Sequence, residues 1–423
     1  MVRSVKNNSI SMRYVFAITA VLVMPFAIFM PKSLTPLFIL TAIFALGLEF
    51  RALNAFEKVP KIFAVLTAIS IMFFALSWLW SISPHETLRL ILPIAGLFFL
   101  GITTVTSGLS LSISERQFVW RAIVLGSAVS FIILLIEIFS PLAIINFFYS
   151  IFKGFEIPID YTYKNVFRSG ANIAALIVFP AVAILWRNGK HSFAVGLMLL
   201  SVVTLSFSEA GSGFLALLIG LTAIALTYIL GRYIRVFFST ALVICTLILP
   251  IVVSVLPSAG EIEERYPDLP NSVYPRIFIW QSSALFISQA PILGKGFNSS
   301  RAISKPEDRV EFSTKGNDQR GSVPIPLHPH SAILQIWLEL GLVGIGLFLA
   351  LLLTLIKRID ETIPSRSMRA MAYGSFFSTF TIANISYGIW QNWWVSALWL
   401  TTTFTIIAVC DEHTWTDDHD TTP

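Results

Sequence analysis

Apolar runs about as long as a bilayer is thick follow one another along this chain almost without pause. That repetition constrains the fold more than any other feature. A membrane-crossing helix needs roughly 20 mainly apolar residues, and helices satisfy their own backbone polar groups in lipid. Runs of this kind lie near 14–30, 33–50, 62–80, 87–106, 118–140, 170–186, 192–207, 212–230, 236–256, 331–356, 369–387 and 393–409. About twelve transmembrane helices are expected, with the 170–186 and 192–207 runs the shortest. Charged residues make up 13% of the chain, against about 25% in soluble proteins. A soluble enzyme is thereby excluded. The formal charge of +5 is no nucleic-acid signal, because its distribution between spans matters more than its sum. The expected fold class is an all-α polytopic membrane protein forming one integral-membrane domain over 1–423.

The first run follows Arg3, Lys6 and Arg13 but has no small-residue cleavage site before Pro31-Lys32, so it reads as a retained helix. Cys245 and Cys410 offer neither a CxxC pair nor a metal spacing. Lys and Arg in the connections set the orientation. With the N-terminus in the cytoplasm, the inner segments hold most of them, from Arg3 and Lys6 through Arg187 and Lys190 to Lys357, Arg358, Arg366 and Arg369. The short outer segments hold only Lys32, Lys153, Lys164 and Arg168. Both termini are therefore expected to be cytoplasmic.

One long polar interval breaks the pattern. Residues 257–330 carry eight basic and eight acidic side chains, face outward in this topology, and end in Leu327-His328-Pro329-His330 directly before a hydrophobic helix. Within the interval, Arg276 to Ala290 has apolar residues at helical spacing and reads as a surface helix with Trp280 and Phe286 toward lipid. Pro291-Ile-Leu-Gly-Lys-Gly stops it with a turn, and the polar 299–322 part reads as a mobile flap. The 141–169 interval reads as an outer interfacial helix followed by a polar strand. Trp390, Trp393 and Trp394 read as an aromatic belt or as part of a wall for a lipid substrate. The acidic tail 411–423 reads as a disordered cytoplasmic end.

Chemistry is sought at the outer face. The field of a helix start disfavours imidazolium, so His330 should be neutral near pH 7 and able to take a proton from a hydroxyl. A capping or interfacial histidine explains the residue equally well, and His328 is a rival. Arg168, Arg276 and Arg89 stand at outer ends of helices, where guanidinium forks match phosphate oxygens. Taken singly, each is also explained as a snorkelling anchor. Glu137 and Glu339 are intramembrane acids, and Glu339 is roughly 13 Å along the helix axis from His330, too far to be its direct partner. Gly341 and Gly344 offer a small-residue face for helix packing. Binding or transport of lipid and polysaccharide stays open beside catalysis on these residues alone. The lack of internal repeats and the polar residues gathered in one outer loop weigh against a transporter.

His330-Ser331, nine residues, then Gly341-Leu-Val-Gly344 resembles the His-(Asn/Ser/Gln)-x9-Gly-x-x-Gly motif of the bacterial O-antigen ligase family, which also takes in O-antigen and exopolysaccharide polymerases. Arg276…Trp280…Pro291-Ile-Leu-Gly-Lys-Gly is similar to that family's Arg-x3-Trp…Pro-(Leu/Ile)-Leu-Gly-x-Gly segment, in the same order. The resemblance implies a glycosyltransferase of the bacterial inner membrane with a periplasmic active site and no cofactor. It implies a donor glycan on undecaprenyl diphosphate and, as acceptor, either lipid A core or a growing glycan. His330 matches the family's essential histidine and Arg276 its loop arginine, while Arg168 in Phe-Arg-Ser-Gly-Ala-Asn looks like its second arginine. Arg89, His328 and Trp280 complete the expected substrate-binding set. No metal cluster is found in the outer segments, so the arginines would stand in for a cation. The chain departs from the family where many members have a Ser-Arg-Gly/Ala turn. Here Ser208-Glu209-Ala-Gly-Ser-Gly leaves that corner without an arginine.

Overall fold

The computed structural model describes residues 11–48, 59–140, 143–153, 159–208, 210–270, 272–315 and 318–410. Arg3, Lys6, Arg51, Lys58, Glu209 and the tail 411–423 lie outside the described residues. The helices in chain order are α1 (Met12–Phe29), α2 (Leu34–Leu48), α3 (Lys61–Leu76), α4 (Pro84–Leu109), α5 (Ile113–Phe139), α6 (Ala143–Lys153), α7 (Ile159–Arg187) and α8 (His191–Phe207). They continue with α9 (Gly211–Leu230), α10 (Ile234–Ser254), α11 (Ala259–Arg265), α12 (Val273–Gln289), α13 (Ala332–Thr362), α14 (Arg366–Ile385) and α15 (Asn392–Val409).

Helices stand at all twelve positions where spans were expected. Among the described residues, eight stretches are long and apolar enough to cross a membrane, and one of these, Gly211–Ser254, contains both α9 and α10 around a short 3-10 turn. The runs Pro31–Gly47 and His191–Phe207 form shorter apolar helices, and α14 is not among the eight. The protein is an all-α polytopic membrane protein. Among the described residues, one small sheet forms an antiparallel hairpin, β1 (Val310–Lys315) with β2 (Asp318–Ser322), offset between Glu311 and Ser313. A paired hairpin thus occupies much of the interval that reads as a flap.

The helix that looked short in the sequence is the central one. Over Arg168–Arg187, α7 is the most buried of the candidate spans, packed by α1, α5, α8, α9, α14 and α15. Small residues admit these neighbours, as at Gly170, where an added Cβ would lie 2.5 Å from Ile28 Cγ1. Among the described residues no strand stands between α6 and α7, where a polar strand was expected. Residues from Ile159 onward are already helical, so Arg168 sits about two and a half turns inside α7 rather than before it.

The glycines of the two motif halves meet each other. Helix α13 is broken at Gly341, with φ 60° and ψ −158°, a region only glycine enters readily. Across the break, the Pro291–Gly296 turn forms a short ladder. Lys295 N–H donates to Leu338 O (3.0 Å), Gly296 N–H to Glu339 O (2.8 Å), Leu342 N–H to Pro291 O (2.8 Å) and Val343 N–H to Ile292 O (3.3 Å). An added Cβ would lie 2.4 Å from Ile292 O at Gly341, and 2.4 Å from Leu340 N at Gly294. The expected packing face for a neighbouring helix is instead, at Gly341, a docking point for the loop. Gly341→Ala should therefore destabilise the protein by at least about 2 kcal/mol through strain and overlap, measured as an earlier thermal unfolding transition in detergent.

Glu339, two residues before the break at Gly341, fixes the rest of this loop. Its carboxylate is fully buried and accepts from Asn298 N (2.7 Å), Ser300 Oγ (2.5 Å), Gln335 Nε2 (3.0 Å) and Trp390 Nε1 (2.7 Å). The intramembrane acid is a structural hub joining the loop, α13 and the turn before α15.

Candidate active site

His330 is held through its backbone and through one ring nitrogen. Its backbone is left-handed (φ 56°), unusual for a residue with a Cβ, and this turns its N–H onto His328 Nδ1 at 3.1 Å. The ring Nδ1 lies 2.8 Å from the Ser386 carbonyl. A carbonyl oxygen only accepts, so Nδ1 carries the hydrogen and the neutral ring leaves Nε2 as its basic nitrogen. Burial lowers the pKa first and the nearby Arg276 charge lowers it further, against the raising effect of the Ser386 bond. The direction is the one expected, but the largest cause is burial rather than the helix start. The helix itself is capped by Ser331, whose Oγ accepts from Leu334 N at 3.4 Å.

His328 supports this arrangement. It is buried, its ring centroid is 4.3 Å from that of His330, and its Nε2 lies 3.1 Å from Gln391 Nε2. Burial, with His330 and Arg301 adding, pushes its pKa down to about 3. A neutral His328 accepts the His330 N–H and holds its backbone, and it is not among the residues lining the neighbouring cavity.

Near His330, whose own ring is not part of its lining, a cavity of about 760 Å³ is lined by Arg168, Ser208, Ala210, Gly211, Ser212, Leu215, Leu269, Pro270, Ser272, Val273, Arg276, Trp280 and Ile385. The start of α7's candidate span, the α8–α9 junction, the first turns of α12 and the end of α14 meet here. Arg168 and Arg276, more than a hundred residues apart in sequence, share its wall. Arg276 donates to Ser272 Oγ at 3.3 Å, and its pKa is lowered by burial first and then by the charge of Arg168. Trp280 also lines the cavity and donates its indole N–H to Pro329 O at 3.0 Å. This places Trp280 inside the site and not toward lipid, because its polar edge fixes the residue preceding His330. Arg89 is not brought to this cavity. It stands 67% exposed on α4, paired with Glu86 at 3.4 Å.

The segment Asn384–Gln391, between α14 and α15, was given no role from the sequence beyond its tryptophan. Asn384 Oδ1 accepts from Ile333 N (3.0 Å) and Ser331 Oγ (3.3 Å) at the start of α13. The Ser386 carbonyl orients His330, Gly388 lies against the His328 ring, and Ile389 N donates to Gln335 Oε1 at 3.0 Å. Trp390 and Trp394 are buried, so they do not form a belt at the lipid surface. The available signal was polarity: Asn384, Ser386, Gln391 and Asn392 interrupt an apolar region where an anchor needs only aromatics.

A family model described as O-antigen ligase matches residues 195–349. That stretch holds Arg276, Trp280, His330 and the glycine break, while Arg168 and Asn384–Gln391 lie beyond it. A protein of Rickettsia bellii named "Putative polysaccharide ligase" is 30% identical over 361 residues, covering 82% of this chain and 83% of the relative. A protein of the same name from Rickettsia felis is 31% identical over 335 residues, covering 77% and 75%. One from Rickettsia typhi is 35% identical over 236 residues, covering 55% and 56%. With the motif halves docked on each other and relatives matched along most of their length, the chain belongs to the O-antigen ligase family.

Proposed function

We propose that this protein is a glycosyltransferase working at the periplasmic face of a bacterial inner membrane. It moves a glycan from undecaprenyl diphosphate to an acceptor sugar hydroxyl on lipid A core. The observation that carries this reading is a neutral histidine, oriented by a backbone carbonyl, beside a cavity with two arginines on its wall. His330 Nε2 takes the proton of the acceptor hydroxyl. The freed oxygen attacks the anomeric carbon as the bond from that carbon to the diphosphate oxygen breaks. The electron pair leaves with the lipid diphosphate, and Arg168 and Arg276 stabilise the charge that develops there. One displacement inverts the anomeric configuration. In this reading the arginines supply the positive charge without a metal ion.

Addition to lipid A core is favoured over chain polymerisation because the relatives carry the name polysaccharide ligase. The test supplies purified protein with polyprenyl-diphosphate-linked glycan and either core-bearing lipid A or no second acceptor. Product on lipid A supports ligation, and glycan chains lengthened without lipid A would assign polymerisation. Transport of the lipid-linked glycan with no transfer would refute the enzyme reading.

The pH profile follows from the direction of the His330 shift. Its neutral form is the active one, and its folded pKa lies below the ordinary 6.5. As pH falls, transfer should therefore hold steady through 6.5 and decline only below it. A decline centred at or above 6.5, measured as kcat/KM against pH, contradicts a buried base.

A further inference from the structure

Tyr387 is the residue of the Asn384–Gln391 turn whose contacts run toward the arginines. Its hydroxyl accepts from Asn172 Nδ2 at 2.8 Å, and Asn172 Oδ1 accepts from Ser212 Oγ at 2.9 Å. Ser212 stands on the cavity wall. Asn172 follows Arg168 by four residues on α7, so the two share a helix face. The Tyr387 ring is wedged against Trp393 and Trp394, with centroids 4.6 and 5.1 Å away. The preceding residue supplies the carbonyl that holds His330 Nδ1. Tyr387 thus ties the helix carrying Arg168 to the turn that orients the histidine.

The electrostatics agree with this placement. The charges of Arg168 and Arg276 both act on the Tyr387 hydroxyl, and burial keeps it protonated by raising its pKa.

We propose that Tyr387 is a positioning residue for glycan transfer, fixing through the Ser212–Asn172–Tyr387 hydrogen-bond chain the spacing between the arginine-lined wall and His330. The inference rests on the glycosyltransferase reading of the same site. Neither the base nor the arginines need Tyr387 to exist, but they must face one substrate together. Small misplacements of reacting groups lower turnover more than they weaken binding. Removing the hydroxyl frees the turn from α7 while His330 stays tied to the turn.

The test uses the full chain in liposomes, with a synthetic polyprenyl-diphosphate-linked oligosaccharide and core-bearing lipid A. Tyr387→Phe should lower kcat about tenfold and leave KM within about twofold, since only the hydroxyl's hydrogen bonds, with Asn172 and Ser169, are at stake. Asn172→Ala should also lower kcat, and the double variant should lose less than the product of the single losses, because both singles remove the Asn172–Tyr387 bond. Ser212→Ala, at the cavity end of the chain, should give a smaller fall in kcat and serves if the buried substitutions reduce folding. Wild-type kcat in Tyr387→Phe, or losses that multiply in the double variant, would overturn the proposal while leaving an inactive His330→Asn to uphold the transfer reading. Absence of transfer by the wild-type protein would remove that reading, and this inference with it.

Discussion

His330→Ala is expected to lower glycan transfer by about a hundredfold to ten-thousandfold, the range for losing a positioned general base. The specificity of the loss comes from the Ser386 carbonyl, which commits Nδ1 to carrying the hydrogen and leaves Nε2 for the substrate. The backbone supplies a control. At φ 56° an alanine is strained, whereas asparagine enters the left-handed region more readily and can donate its amide to the same carbonyl. His330→Asn should therefore unfold at the wild-type temperature and still be as inactive as His330→Ala. If the asparagine variant keeps most of the activity, the ring is an orienting group and the proton leaves by another route.

Arg276→Ala is expected to lower kcat about a hundredfold to a thousandfold, as when one donor to a developing oxyanion is deleted. Arg276 is partly buried, shares the cavity wall with Arg168, and hydrogen-bonds only weakly to Ser272 at 3.3 Å, so its charge is turned to the cavity more than to the protein. Arg276→Lys should recover part of the rate, since an ammonium keeps the charge but loses the planar fork. Arg168→Ala should fall in the same range. Because the two guanidiniums repel each other, the double variant should lose less than the product of the single losses. Single-turnover rates with excess protein separate this from weakened binding. Single losses below about threefold at both positions would leave the diphosphate without its proposed clamp.

The helices were legible because a bilayer demands long apolar segments whatever the function, so composition alone locates them. The pairing of His330 with Arg276 was legible through motif order, and the cavity shows the two arginines on one wall. Other features hinge on contacts between distant segments, which spacing cannot show. Gly341 sits in an unbroken apolar run, and its role as a helix break becomes visible only when Ile292 and Gly294 are placed against it. Glu339 looked like an isolated intramembrane acid because its donors come from Asn298, Ser300 and Trp390, in separate stretches of the chain. Arg89 resembled Arg168 and Arg276 in its helix-end position, yet its partner is Glu86 on the same helix, an i,i+3 neighbour whose spacing was the available signal. The turn Asn384–Gln391 was not legible because Trp390, with Trp393 and Trp394 just after it, has an adequate explanation as a membrane anchor. The burial of Trp390 and Trp394 overturns that explanation.

The central claim is that this site transfers a glycan by one displacement with His330 as the base. The most direct measurement follows purified wild-type protein and His330→Asn in liposomes containing polyprenyl-diphosphate-linked glycan and core-bearing lipid A. It records the released polyprenyl diphosphate and the anomeric configuration of the new linkage. The account predicts equal amounts of released carrier and inverted linkage from the wild type, and neither from the variant. A retained configuration, or undiminished product from His330→Asn, would contradict it.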